Sequence, residues 1–197
     1  MDYTSVDLIK GELRIGKATD DDLLTRLATA ASRAFDRYCT GAKTGSDNYF
    51  ELATVTDELI TGVVNQDGSI VCWPRKADVS DVSSFSYRTS PRESWLAAEL
   101  DYVEFDKGVV TAWESLSSRQ AQRVKITYTG GLADDINNLP ADLVEVVTVL
   151  AARFYREAEA GLADMIGVAD VGMLIYSKAL PLRVVKMAEP YRRVVRW

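Results

Sequence analysis

The stretch Thr19-Asp-Asp-Asp-Leu-Leu-Thr-Arg-Leu-Ala-Thr-Ala-Ala-Ser-Arg-Ala-Phe-Asp-Arg-Tyr38 decides how the chain is organised. A hydroxyl followed by three carboxylates is what a helix start favours, because free N–H groups and the positive end of the dipole sit there. Leu24, Leu27, Ala28, Ala31, Phe35 and Tyr38 then recur at helical spacing as one apolar stripe, and Gly41 ends it. The three aspartates also admit a metal-site reading. A capped helix start explains all three without calling on further ligands.

A second stretch of the same kind lies far away. Leu139-Pro140 opens it, Asp142 and Glu145 occupy its first turns, and Leu143, Val146, Val147, Leu150, Ala151, Phe154 and Ala158 form the stripe, with Gly161 as its stop. Stripes containing several alanines allow close approach, so the two helices are expected to pack antiparallel. Thr4-x-x-Asp7 opens a shorter helix to about Leu13, and Leu180-Pro181 starts another through Ala188.

Between the long helices the period becomes that of strands. Asn65-Gln66-Asp67-Gly68 separates Gly62-Val63-Val64 from Ser69-Ile70-Val71-Cys72-Trp73, as in a hairpin. Tyr102 to Phe105 and Val109 to Trp113 flank Asp106-Lys107-Gly108, which reads as a three-residue turn. From Gln122 to Thr129, Val124, Ile126 and Tyr128 alternate with Lys125, Thr127 and Thr129. The serine-rich and charged stretches 76 to 84 and 88 to 94 read as loops. Trp73, Trp95 and Trp113 are candidates for interface anchors, with at least two expected in the core. After residue 161 the pattern is apolar but irregular, interrupted by Gly167 and Gly172.

The expected fold is α+β: a small helical bundle formed by residues 1–42 and 132–188, interrupted by an antiparallel β-rich insertion, 43–131, and followed by an extended C-terminal tail, 189–197. Pro190 is expected to force that tail out of helix.

Composition narrows the function. The chain of 197 residues has no histidine, which removes the commonest general base and metal ligand together. Cys39 and Cys72 are far apart and outside any CxxC spacing, so they read as buried thiols. Neither a metal nor a cofactor is expected, and the chain reads as a non-enzyme. A carboxylate-based hydrolase remains the enzymatic alternative, with Asp20, Asp21, Asp22, Asp134 and Asp135 as its acids. These all sit at helix starts or turns without a phosphate-binding loop. No apolar run approaches the roughly 18 residues of a membrane span, and the first residues do not resemble a secretion signal. The protein is expected in the cytoplasm when made.

Net charge is −6. Residues 181–197 hold Arg183, Lys186, Arg192, Arg193 and Arg196 against Glu189, a net of +4, which leaves −10 on residues 1–180. An acidic body opposes general binding to nucleic acid, although Arg192, Arg193 and Arg196 could touch phosphate. The basic end is better suited to an acidic protein surface. Pro190, Tyr191, Arg192, Arg193, Val194, Val195, Arg196 and Trp197 are therefore the candidate protein-binding residues. Such a segment could add as a strand to another sheet's edge, or simply fray.

These residues resemble a known group, the head-tail connector or adaptor proteins of tailed bacteriophages and gene-transfer particles. The likeness lies in the Thr19 to Tyr38 stretch and in Tyr128-Thr-Gly-Gly-Leu132 leading to Leu139-Pro-Ala-Asp-Leu143. It continues in Ala151-Ala-Arg-Phe-Tyr-Arg-Glu157 and in Leu180-Pro181 through Pro190-Tyr-Arg-Arg193. The resemblance implies a ring of twelve copies below the portal, located at the virion neck and made in the host cytoplasm. Its partners would be the portal protein, neighbouring adaptor subunits and a downstream neck or tail protein. DNA would pass through without specific recognition. A tail terminator is the rival within the same structural world; it would have a continuous α/β domain.

Overall fold

A computed structural model describes residues 1–16, 18–41, 48–116, 120–159, 165–168, 172–175 and 182–193. The chain forms two compact units, one of Met1–Asp47 with Ile136–Trp197, the other of Asn48–Asp135.

In the helical unit, α1 is Val6–Leu13, α2 Asp21–Thr40, α3 Ala141–Glu159 and α4 Leu182–Ala188. Ser5, rather than Thr4, caps α1, accepting a hydrogen bond from the Leu8 N–H. Thr4 is engaged elsewhere: its hydroxyl meets that of Thr148 at 2.7 Å, and since Thr148 donates to the Val144 carbonyl, Thr4 is the donor. The cap of α2 is likewise one residue later than Thr19, at Asp20. Gly41 ends α2 in the left-handed conformation, φ 67°. At α3 the Pro140 carbonyl accepts the first helical bond, so the proline stands just before the helix.

The two long helices pack antiparallel. Tyr155, near the end of α3, donates to Asp20 at the start of α2, while Asp142, at the start of α3, is joined through Tyr191 to Phe35 near the end of α2. Leu24, Ala28, Ala31 and Phe35 of α2 are buried with Leu143, Val147, Leu150 and Ala151 of α3, as the stripes predict. Each fully buried Leu or Phe contributes about 1.5–3 kcal/mol of transfer free energy. Among the described residues, one charged group lies in this core. Asp36 is fully buried, accepts from the Tyr3 hydroxyl at 2.8 Å and pairs with Arg33 at 3.1 Å, so its charge is matched. The sequence after α3 gives a small hairpin that its irregular pattern does not announce, Met165–Val168 paired with Gly172–Ile175. Gly161, Leu180 and Pro181 lie outside the described residues.

The second unit is one antiparallel sheet. Its strands are β1 Ala53–Val64, β2 Ile70–Cys72, β3 Val79–Arg88, β4 Leu96–Ala97, β5 Val103–Asp106, β6 Val109–Ala112 and β7 Gln122–Gly130, in the order β4-β3-β7-β1-β2-β6-β5. The sheet curls, bringing β5 near β3. The long β1 pairs first with β7 and then, from Val63, with β2. Gly62 stands where it passes between them: a Cβ there would lie 2.6 Å from Ile70 Cγ2 and 2.9 Å from Val124 Cγ2. Val124, Ile126 and Tyr128 are fully buried on the inner side with Ile70, Cys72, Phe85 and Val110.

Three expectations need correction here. Residues 79–84 belong to β3 rather than to a loop. The β5–β6 turn has two residues, since Asp106 pairs with Val109 and both Lys107 and Gly108 have positive φ, 45° and 76°. None of Trp73, Trp95 and Trp113 is buried; aliphatic side chains, Phe85, Tyr87 and Tyr128 fill the core instead.

Candidate functional site

Among the described residues, no group of three carboxylate or thiol side chains is placed to hold a metal. Two of the three aspartates at the start of α2 have partners that hold the helices: Asp20 accepts from Tyr155 at 3.0 Å and Asp21 pairs with Lys10. Burial and the two acceptors Glu159 and Asp20 raise the Tyr155 phenol to about 12, keeping it a donor. Asp134 and Asp135 are exposed and belong to the sheet unit.

The C-terminal segment has more definite geometry. After α4 the chain makes a 3-10 turn, Glu189–Tyr191, whose first turn accommodates Pro190 because a proline there lacks only an N–H that no carbonyl awaits. The extended form expected directly after Pro190 starts at Arg192, φ −72° and ψ 130°. Four contacts fasten this piece to the helices. Tyr191 donates to Asp142 Oδ1 at 2.5 Å and meets the Phe35 ring edge-on at 6.5 Å. The Arg192 guanidinium lies over the Tyr38 ring at 5.3 Å. The Arg193 N–H donates to the Cys39 carbonyl at 2.8 Å, satisfying an acceptor that the end of α2 leaves without a helical partner.

Burial and the Asp142 carboxylate raise the Tyr191 phenol, so it remains a donor. Burial and then Asp36 raise the Cys39 thiol against the smaller pull of Arg192, and the protonated sulfur is unreactive. Of the eight candidate binding residues, Pro190, Tyr191, Arg192 and Arg193 are thus seated on the helical unit, while Val194, Val195, Arg196 and Trp197 lie outside the described residues. This arrangement gives the basic end a fixed base.

No protein-family model matches the chain, and no curated protein does. Among solved structures, a chain from the neck of an empty GTA particle, computed with C6 symmetry, matches with a TM-score of 0.51. This chain has that fold. The match covers 98% of this chain and 90% of the other at 19% identity. A chain of the virion of a native gene transfer agent particle matches with a TM-score of 0.52 over 97% and 89% at 18% identity. At 98% coverage the likeness takes in both units.

A surface of which the sequence reading singles out Trp113 alone lies on the β5–β6 hairpin. Tyr102 and Trp113 are 58% and 50% exposed and face one another, with the Trp113 N–H donating to the Tyr102 carbonyl at 2.9 Å. Tyr102 ends a 3-10 turn, Leu100–Tyr102, and in β5 after it Glu104 and Asp106 share a side, opposite Thr111 and Val109. The sequence offers Tyr102, Glu104 and Asp106 without showing their exposure, and Phe105 between them is itself 40% exposed.

Proposed function

We propose that this protein is a structural neck protein of a phage-like particle, and that within the neck it is the head-tail adaptor, a ring below the portal that extends the DNA channel and docks neck or tail proteins. The observation that carries the reading is the match to a GTA neck chain over 98% of this sequence. The placement of the sheet as an insertion between helices favours an adaptor over a tail terminator, for which a continuous α/β domain is expected. Its partners are neighbouring copies, the portal and a downstream protein, and DNA passes without being read.

In this role residues 190–197 bind another protein of the particle. Tyr191 and Arg193 fix the base of the segment on the helical unit. Imaging of purified particles tests the main proposal: density for this chain belongs at the junction of capsid and tail, and its absence there rejects the role. Removing residues 194–197 tests the segment. The expected result is an unchanged circular dichroism spectrum with attachment to the neck lost; normal attachment rejects that part.

A further inference from the structure

The exposed hairpin face combines two chemistries. Tyr102 and Trp113 present large aromatic surfaces to water, and exposed aromatic surface grouped in this way marks an interaction site. Residues 99–114 around them carry Glu99, Asp101, Glu104, Asp106 and Glu114 against the single base Lys107. In the extended strand β5, Glu104 and Asp106 stand about 7 Å apart along one side. A face of this kind rejects phosphate and other anions. It accepts side chains whose apolar stems lie over aromatic rings and whose cationic heads reach carboxylates, which are those of arginine and lysine.

The same chain carries the complementary face. Lys186 on α4 and Arg192 beyond it are exposed, whereas Arg183 of α4 is paired with Glu145 at 2.8 Å. Arg192 already lies over one aromatic ring, that of Tyr38, so its stacking chemistry is in use in the folded chain. The sheet unit as a whole has fourteen acidic and eight basic residues, a net of −6, whereas the helical unit has fifteen of each.

We propose that the acidic aromatic face of the β5–β6 hairpin in one copy docks on the exposed bases Lys186 of α4 and Arg192 in a second copy. The inference rests on the ring-forming neck reading and names the contact that would join its subunits. Because the two faces differ, the contact is heterologous: each copy can engage one neighbour through each face, which builds a ring or filament. A self-complementary dimer would use one patch twice and stop.

Light and heavy-isotope protein, mixed in equal amounts at low salt and coupled with a zero-length carbodiimide, tests the contact. The expected product joins Glu104 or Asp106 to Lys186, with one light and one heavy peptide. Sedimentation velocity supplies the second arm. Glu104→Lys with Asp106→Lys should weaken self-association by about tenfold or more, and so should Lys186→Glu with Arg192→Glu. Mixing the two double variants should restore association, since each reversed face then meets an opposite one. Links only within one isotope, links to other lysines, a wild-type chain that stays monomeric at low salt, or a mixture that does not recover would each overturn the proposal. If imaging nevertheless finds the chain in the neck, the neck reading survives and only this contact falls.

Discussion

Tyr128 ties three segments of the sheet unit at one oxygen. Its hydroxyl donates to Glu58 Oε2 at 2.6 Å and accepts from the Lys76 N–H at 3.1 Å, while the ring is fully buried. Tyr128→Phe keeps the packing but leaves Glu58 and the Lys76 amide without this partner. A loss of about 1–3 kcal/mol is expected from denaturant unfolding, and an unchanged midpoint would show the hydroxyl to be idle. The phenols of Tyr87, Tyr128, Tyr155 and Tyr191 are all raised, with burial the first cause in each. The folded chain therefore holds protons that the unfolded chain releases at about pH 10, the ordinary tyrosine value. Stability from these groups is complete below that pH and falls as pH rises through their folded values. A thermal midpoint that drops steeply above pH 10, with a shallower drop in Tyr128→Phe, is the expected outcome. At this scale the sequence shows which residues favour helix starts but not which neighbour wins the cap. Thr4 is drawn off by Thr148, and the role of Tyr191 depends on Asp142, 49 positions away.

Helices were legible because their stripes run unbroken for many turns. Strand β3 was not, for a physical reason: its register with β7 shifts between Val79 and Asp81 and again between Val82 and Ser84, which breaks the two-residue period twice in six residues. Its serines are also engaged rather than loop-like, with Ser80 and Ser83 donating to the Thr129 and Thr127 carbonyls. The β5–β6 turn yields a prediction. Lys107 sits at φ 45°, where a lysine is strained and asparagine is much better tolerated. Lys107→Asn should raise stability by up to about 1 kcal/mol, read as a higher thermal midpoint; a fall would mean that the lysine makes a contact worth more than its strain. At the other end of the chain, Tyr191→Ala removes both the Asp142 bond and the Phe35 contact. Trypsin should then cut at Arg192 and Arg193 much faster than in the wild type, and equal rates would show that the segment is held without this tyrosine.

Taken whole, the chain consists of two units with separate cores. The compact units divide at 47/48 and 135/136. Residues 48–135 expressed alone should keep β-sheet circular dichroism and unfold cooperatively, since Phe85, Val124, Ile126 and Tyr128 are buried within that unit. A disordered fragment would show that the helices are needed for it to fold. The sheet unit also fastens its own two ends. Leu52 donates to the Ala133 carbonyl and Leu132 to that of Phe50, both at 2.8 Å, Lys76 Nζ grips the Asn48 and Glu51 carbonyls, and a Cβ at Gly131 would lie 2.3 Å from the Glu51 oxygen. A module whose entry and exit are cinched in this way can be lengthened, shortened or exchanged at its far side while presenting the same narrow doorway. The entropy of closing that loop is met inside the module, so evolution can refit this protein for a new neighbour without redrawing its helices.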